Sequence, residues 1–219
     1  MTSLFNLFLI LHIAGGFTGL LVGSFILFRK KGDQLHKNTG RLFYWGMVVA
    51  GASSLILSIL HPNSFLFMIG LFTLYMTLTG VRYNHHRLTL PNQLATPDRL
   101  LLVMMGGGSL FLIIIGLFKL FHGDTFGIAL LFFSLAGIQF IRQDLANFKN
   151  PSAVKFLQGH IARMTGSYIS ALTAFLVVNF DRIPLHLPAF IVWLAPSAIL
   201  TPLIFRWSKK YGPAKKELV

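Results

Sequence analysis

Seven stretches of this chain are apolar over lengths that match a lipid bilayer, and this pattern limits the fold more than any other feature. They cover residues 4–28, 42–60, 65–83, 100–121, 125–141, 161–180 and 187–205. A helix needs about 20 apolar residues to cross the hydrocarbon core. Lipid offers no partner to backbone N–H and C=O groups, so each stretch must satisfy its own as a helix. The expected fold is all-α, a polytopic transmembrane bundle of about seven spans forming one domain over residues 1–219. Only 11% of the residues are charged, against about 25% in soluble domains. The first stretch does not read as a cleaved signal peptide. No basic segment precedes it, it is too long, and no small-residue cleavage site follows it.

Charge sets the expected orientation. Seventeen of the nineteen basic residues fall in segments 29–41, 82–99, 142–163 and 206–216, with only Lys119 and Arg182 on the other side. By the positive-inside rule the N-terminus is outside and the C-terminal tail cytoplasmic. A net charge of +13 would point to nucleic acid in a soluble chain; here it follows from topology, and no nucleic-acid partner is expected. The inner connections read as about 13 to 20 residues and the outer ones as a few. The chain has no cysteine, which excludes disulfides, zinc–thiolate sites and iron–sulfur clusters.

Within the spans, chemistry rests on few residues. His12, Gly15, Gly16, Gly19 and Gly23 recur at i, i+3, i+4, i+7 and i+11, one stripe of a helix. Gly15, Gly19 and Gly23 form a small-residue surface that lets another helix approach closely. His12 either hydrogen-bonds a neighbouring helix as a neutral imidazole or serves as a haem or metal ligand or proton carrier. If the second helix begins near Gln34, then His36, Gly40, Tyr44, Met47, Gly51, Ser54 and Ser58 share its inward face, with Gly40 expected at a close packing contact. His36, His85, His86 and His160 gather at the inner ends of the second, third and sixth spans. Histidines on separate helices are how a bundle builds a haem or metal site, so His36, His86 and His160 are candidate ligands. Arg82 and Arg163 are candidate anion contacts, Arg82 alternatively reaching the headgroups. By this reading no Asp or Glu lies within a span; Asp98 and Asp144 fall in inner loops, where they can pair with Arg or orient a His. That argues against a carboxylate-driven pump. Pro196 removes a backbone hydrogen bond and is expected to kink the last span. His36/Tyr44 and His160/Tyr168 repeat one spacing, which raises a duplication of spans 1–3 in spans 5–7.

His12 with its glycine stripe, the basic turn, and His36-Lys37-Asn38-Thr39-Gly40-Arg41 resemble the opening of an uncharacterised bacterial multipass membrane family, known as domain of unknown function 2306. The segment His160-Ile161-Ala162-Arg163-Met164 is similar to that family's second histidine segment. Lys37 stands where the family more often has Arg. The resemblance implies a bacterial inner-membrane protein and brings no activity with it. The leading functional expectation is a His-liganded redox or metal protein holding a b-type haem or a divalent metal through His12, His36, His86 or His160. The alternatives are a cofactor-free small transporter or lipid-interacting protein, and an accessory subunit of a membrane complex. The partners expected are the lipid bilayer and either a second copy or other subunits.

Overall fold

The computed structural model describes residues 2–91, 93–182 and 189–212. Among them are seven long helices: α1 Thr2–Phe28, α2 Gln34–Leu60, α3 Ser64–Thr89, α4 Thr96–Phe121, α5 Phe126–Lys149, α6 Ala153–Val178 and α7 Ala189–Tyr211. A short 3-10 turn, Phe180–Arg182, follows α6. All seven are long and apolar enough to cross a membrane. His186, residues 187–188 of the last apolar stretch, and Lys215 and Lys216 of the tail lie outside the described residues.

The helices outrun the apolar stretches at the basic end. α2 begins at Gln34, α3 continues to Thr89, α5 to Lys149, and α6 begins at Ala153. The inner connections are therefore short turns (29–33, 90–95 and 150–152), not the longer loops expected. The reason is physical. The hydrocarbon core constrains only the apolar part, and a helix of 27 residues is roughly 40 Å long, the thickness of a bilayer with its headgroups. Lys, Arg and Gln are good helix formers and can reach the headgroup layer without ending the helix.

Local chemistry sets the helix starts. The Asp33 carboxylate accepts from the His36 backbone N–H at 2.8 Å and caps α2; the same bond holds the Asp33 carboxyl below the usual range. Asn63 caps α3 in the same way, accepting from Leu66 N–H at 2.9 Å. Pro97 sits in the first turn of α4, where a missing N–H costs nothing. The Lys31 ammonium donates to the carbonyls of Ile26, Leu27 and Arg29, satisfying the open end of α1, and lies 4.4 Å from the Trp207 ring of α7. α7 remains helical through both Pro196 and Pro202.

α3 is the hub. It packs on α2, α4, α5 and α6, while α1 lies on α2, α4 pairs with α5, and α7 rests on α6. Fourteen residues of α3 are buried, so this helix reads as apolar all round rather than striped. The outer helices leave Phe17, Phe28, Val103, Phe121, Phe132 and Ile199 exposed. An apolar surface this continuous requires lipid around it. α1–α2–α3 pack in sequence, but α5 and α6 barely approach each other. The two triplets therefore differ in arrangement, and the expected duplication has no counterpart in the packing.

The glycine stripe of α1 does its expected work. A Cβ on Gly15 would lie 2.8 Å from the Gly46 carbonyl oxygen and 2.9 Å from the Ala50 nitrogen. Both are backbone atoms that cannot step aside. Gly19 faces Met47, and Gly23 faces the rings of Tyr168 and Phe43. Gly40 is a correction: nothing lies within 4 Å of a Cβ built there. It lies three residues before buried Phe43, on a part of α2 where no neighbouring atom comes close. Further along α2, Met47, Gly51, Ser54 and Ser58 are buried, as their shared face predicts.

Candidate functional site

The polar chemistry concentrates at the basic end, around two carboxylates placed in loops on sequence grounds. Asp144 lies within α5 and Asp98 in the first turn of α4, and both are buried. This corrects the expectation that both fall in inner loops. The apolar runs end before these residues, whereas the helices do not.

Asp144 is the most fully bonded group in the site. One carboxylate oxygen accepts from the Tyr83 hydroxyl and, at 2.6 Å, from Arg163 Nη2; the other accepts from the Tyr75 hydroxyl. Asn147, one turn on, donates to the Tyr83 oxygen at 3.2 Å. Tyr75 and Tyr83 come from α3, Asp144 from α5 and Arg163 from α6, so one carboxylate ties three helices together. The Arg163 guanidinium also lies 4.0 Å from the centroid of the Phe140 ring and donates to the Phe140 carbonyl at 3.2 Å. Aromatic faces suit a guanidinium because it is planar and weakly hydrated. Arg163 Nη1 is buried with no partner among the described residues.

Asp98 forms the second half. Arg82 grips it with two donors, Nε and Nη2, the second at 2.7 Å. His86 Nε2 lies 3.0 Å from the same carboxylate. Since a carboxylate only accepts, the proton of that bond sits on Nε2. His86 Nδ1 is buried and finds no partner among the described residues. The positive N-terminus of α4 adds to the attraction for Asp98. A cavity of ≈ 10 Å³ lies between the halves, lined by Thr79, Arg82, Tyr83, Asp98, Leu102 and Asp144. That is room for about one water. Asp98, Asp144, Arg82 and Arg163 cancel in charge, which is what burial at this depth requires.

The candidate ligands are placed as follows. His12 Nδ1 lies 2.9 Å from the Ala50 carbonyl oxygen of α2, bonding the neighbouring helix. His160 Nδ1 lies 2.8 Å from the Gly80 carbonyl oxygen of α3. His85 is exposed. His36 Nδ1 is buried without a partner among the described residues. His36, His86 and His160 do not converge: among the described residues, no three His, Asp or Glu side chains are grouped as a metal site needs. His86 is turned toward Asp98, whereas His160 is held against α3. Arg82 and Arg163, expected to meet an anion, each meet a carboxylate of the chain itself.

Tyr75 was visible in sequence on one helical stripe with Arg82 and His86. Tyr83 and Asp144 carried a fainter signal: an acid in a chain with only six, close to the end of an apolar run. Comparison with protein-family models, curated proteins and solved structures found no match to this chain. What the site does must be argued from its chemistry.

Proposed function

We propose that this chain is a small transport protein of the bacterial inner membrane, with the Asp144 and Asp98 networks as its proton-handling site. The observation that carries this reading is a continuous series of exchangeable groups, His86–Asp98, the water-sized cavity, then Tyr83–Asp144–Tyr75. His86 and Tyr75 are eleven residues apart on α3, roughly 16 Å along its axis. The series thus leads from the basic end to about mid-bilayer. Beyond Tyr75 the core turns apolar at Phe72, Met68, Leu112 and Leu130, which closes the opposite half. A polar half set against an apolar half suits a site that opens toward one face at a time. Ionisable residues at such depth are expensive and are kept for ion and proton pathways.

The test is proton flux in proteoliposomes carrying a trapped pH-sensitive dye, with valinomycin and potassium setting the potential. The wild-type protein collapses an imposed pH gradient faster than empty liposomes do, and Asp144→Asn slows it at least tenfold. Wild-type vesicles no leakier than protein-free ones would sink the reading.

A second reading is a His-liganded redox protein with a b-type haem or a divalent metal. It draws on one feature: His12 and His160 each direct Nδ1 at a backbone carbonyl of another helix. Ligating imidazoles are commonly oriented in this way, with Nε2 left for the metal. The two lie toward opposite ends of the bundle, so each would serve a separate centre. A Soret band after expression with haem supply, or stoichiometric metal by elemental analysis, supports it; the lack of both removes it.

A further inference from the structure

Three arginines lie near the basic end of α3 and α6, and only two are neutralised. Arg82 pairs with Asp98 and Arg163 with Asp144. Arg87 makes no ion pair among the described residues, and its Nε is buried with no hydrogen-bond partner there. The described carboxylates that could serve it are spent: Asp33 pairs with Arg29, Asp98 with Arg82 and His86, Asp144 with Arg163. Buried donors left unmade are costly, most of all on a cation.

Arg87 also lines a groove. With Leu88 of α3 and Ala153, Val154 and Leu157 of α6 it encloses ≈ 330 Å³, open to the surface, at the low end of small-ligand sites. Apart from Arg87 the walls are aliphatic. The groove lies between the last turn of α3 and the first turns of α6. A cation beside an aliphatic groove at the basic end of the bundle matches an anionic phospholipid in charge and in the apolar surface it needs. We propose that Arg87 binds the headgroup phosphate of an anionic phospholipid whose acyl chain lies along Leu88, Val154 and Leu157. The site shares no residue with the Asp98 and Asp144 networks, so it stands or falls independently of proton flux.

The test is native mass spectrometry of the full chain in mild detergent, titrated with phosphatidylglycerol or with phosphatidylcholine of the same acyl chains. The wild-type protein retains phosphatidylglycerol with about tenfold preference, and Arg87→Gln loses about fivefold in that affinity. Lys37→Gln, an exposed basic change on α2, leaves it unaltered. Leu157→Trp, which fills the groove and spares the arginine, also loses binding, and it decides the matter should Arg87→Gln not fold. Equal retention of the two lipids overturns the proposal. So does a loss in Lys37→Gln as large as in Arg87→Gln, which would mean diffuse surface attraction. Displacement of phosphatidylglycerol by millimolar inorganic phosphate overturns it too, since that marks a site for a free anion.

Discussion

Arg163 of α6 donates a 2.6 Å hydrogen bond to Asp144 of α5, joining two helices whose backbones scarcely approach each other. The side-chain exposures are 5% and 3%, so neither charge can turn to water if the other is removed. Arg163→Met should cost about 3–5 kcal/mol, the penalty of stranding a buried charge. The double variant Arg163→Met, Asp144→Leu should lose less than the sum of the two single variants, because no charge is then left unpaired, while the Tyr75 and Tyr83 hydroxyls still lose their acceptor. Unfolding in detergent, read as a double-mutant cycle, checks this; additive losses would mean that the two residues do not depend on each other.

Tyr75 and Tyr83 bond the same carboxylate but differ in surroundings. Tyr75 donates only to Asp144, while Tyr83 also accepts from Asn147. A hydrogen bond to a charged group contributes about 1.5–3 kcal/mol. Tyr75→Phe should lose that amount, and Tyr83→Phe somewhat more because Asn147 is stranded as well. The order of the two melting temperatures is the readout.

The α1–α2 contact yields a paired prediction from neighbouring glycines. Gly15→Ala drives a methyl into the backbone of Gly46 and Ala50, whereas nothing lies within 4 Å of a Cβ on Gly16. Overpacking of this kind costs about 1–3 kcal/mol. Gly16→Ala gains up to about 1 kcal/mol of helix propensity. Thermal stability in detergent should fall for the first and hold or rise for the second.

At the outer turn between α4 and α5, the hydrogen bond from Lys119 holds the Asp124 carboxyl below the usual range, assisted by the Phe126 backbone N–H. A carboxylate lowered in the folded state contributes stability above its unfolded pKa and loses it as pH falls through the folded value. The contribution is therefore complete near neutral pH and fades below about pH 4. Asp124→Asn should be less stable than wild type at neutral pH and converge with it near pH 3. Unfolding curves across that range test the sign.

Seven membrane helices, the side on which the basic residues lie and the glycine face of α1 were legible in the chain, because each follows from local composition and from a fixed helical period. Asp144 was not. Its apolar run ends at residue 141, so hydropathy assigned it to a loop, and its partners lie 19 to 69 positions away. Gly40 failed for the opposite reason. It fits the stripe, but a stripe marks only which way a residue faces, and no helix passes there.

The sequence by itself determined that lipid surrounds this chain, because the solvent preference of an apolar run of bilayer length needs no knowledge of its neighbours. Only the tertiary structure decided which buried charges neutralise each other. Asp98 meets Arg82 and His86, Asp144 meets Arg163, and Arg87 is left over among the described residues. Coulomb attraction and hydrogen bonding act over a few ångströms of space, and helix packing, rather than distance along the chain, brings those groups within reach.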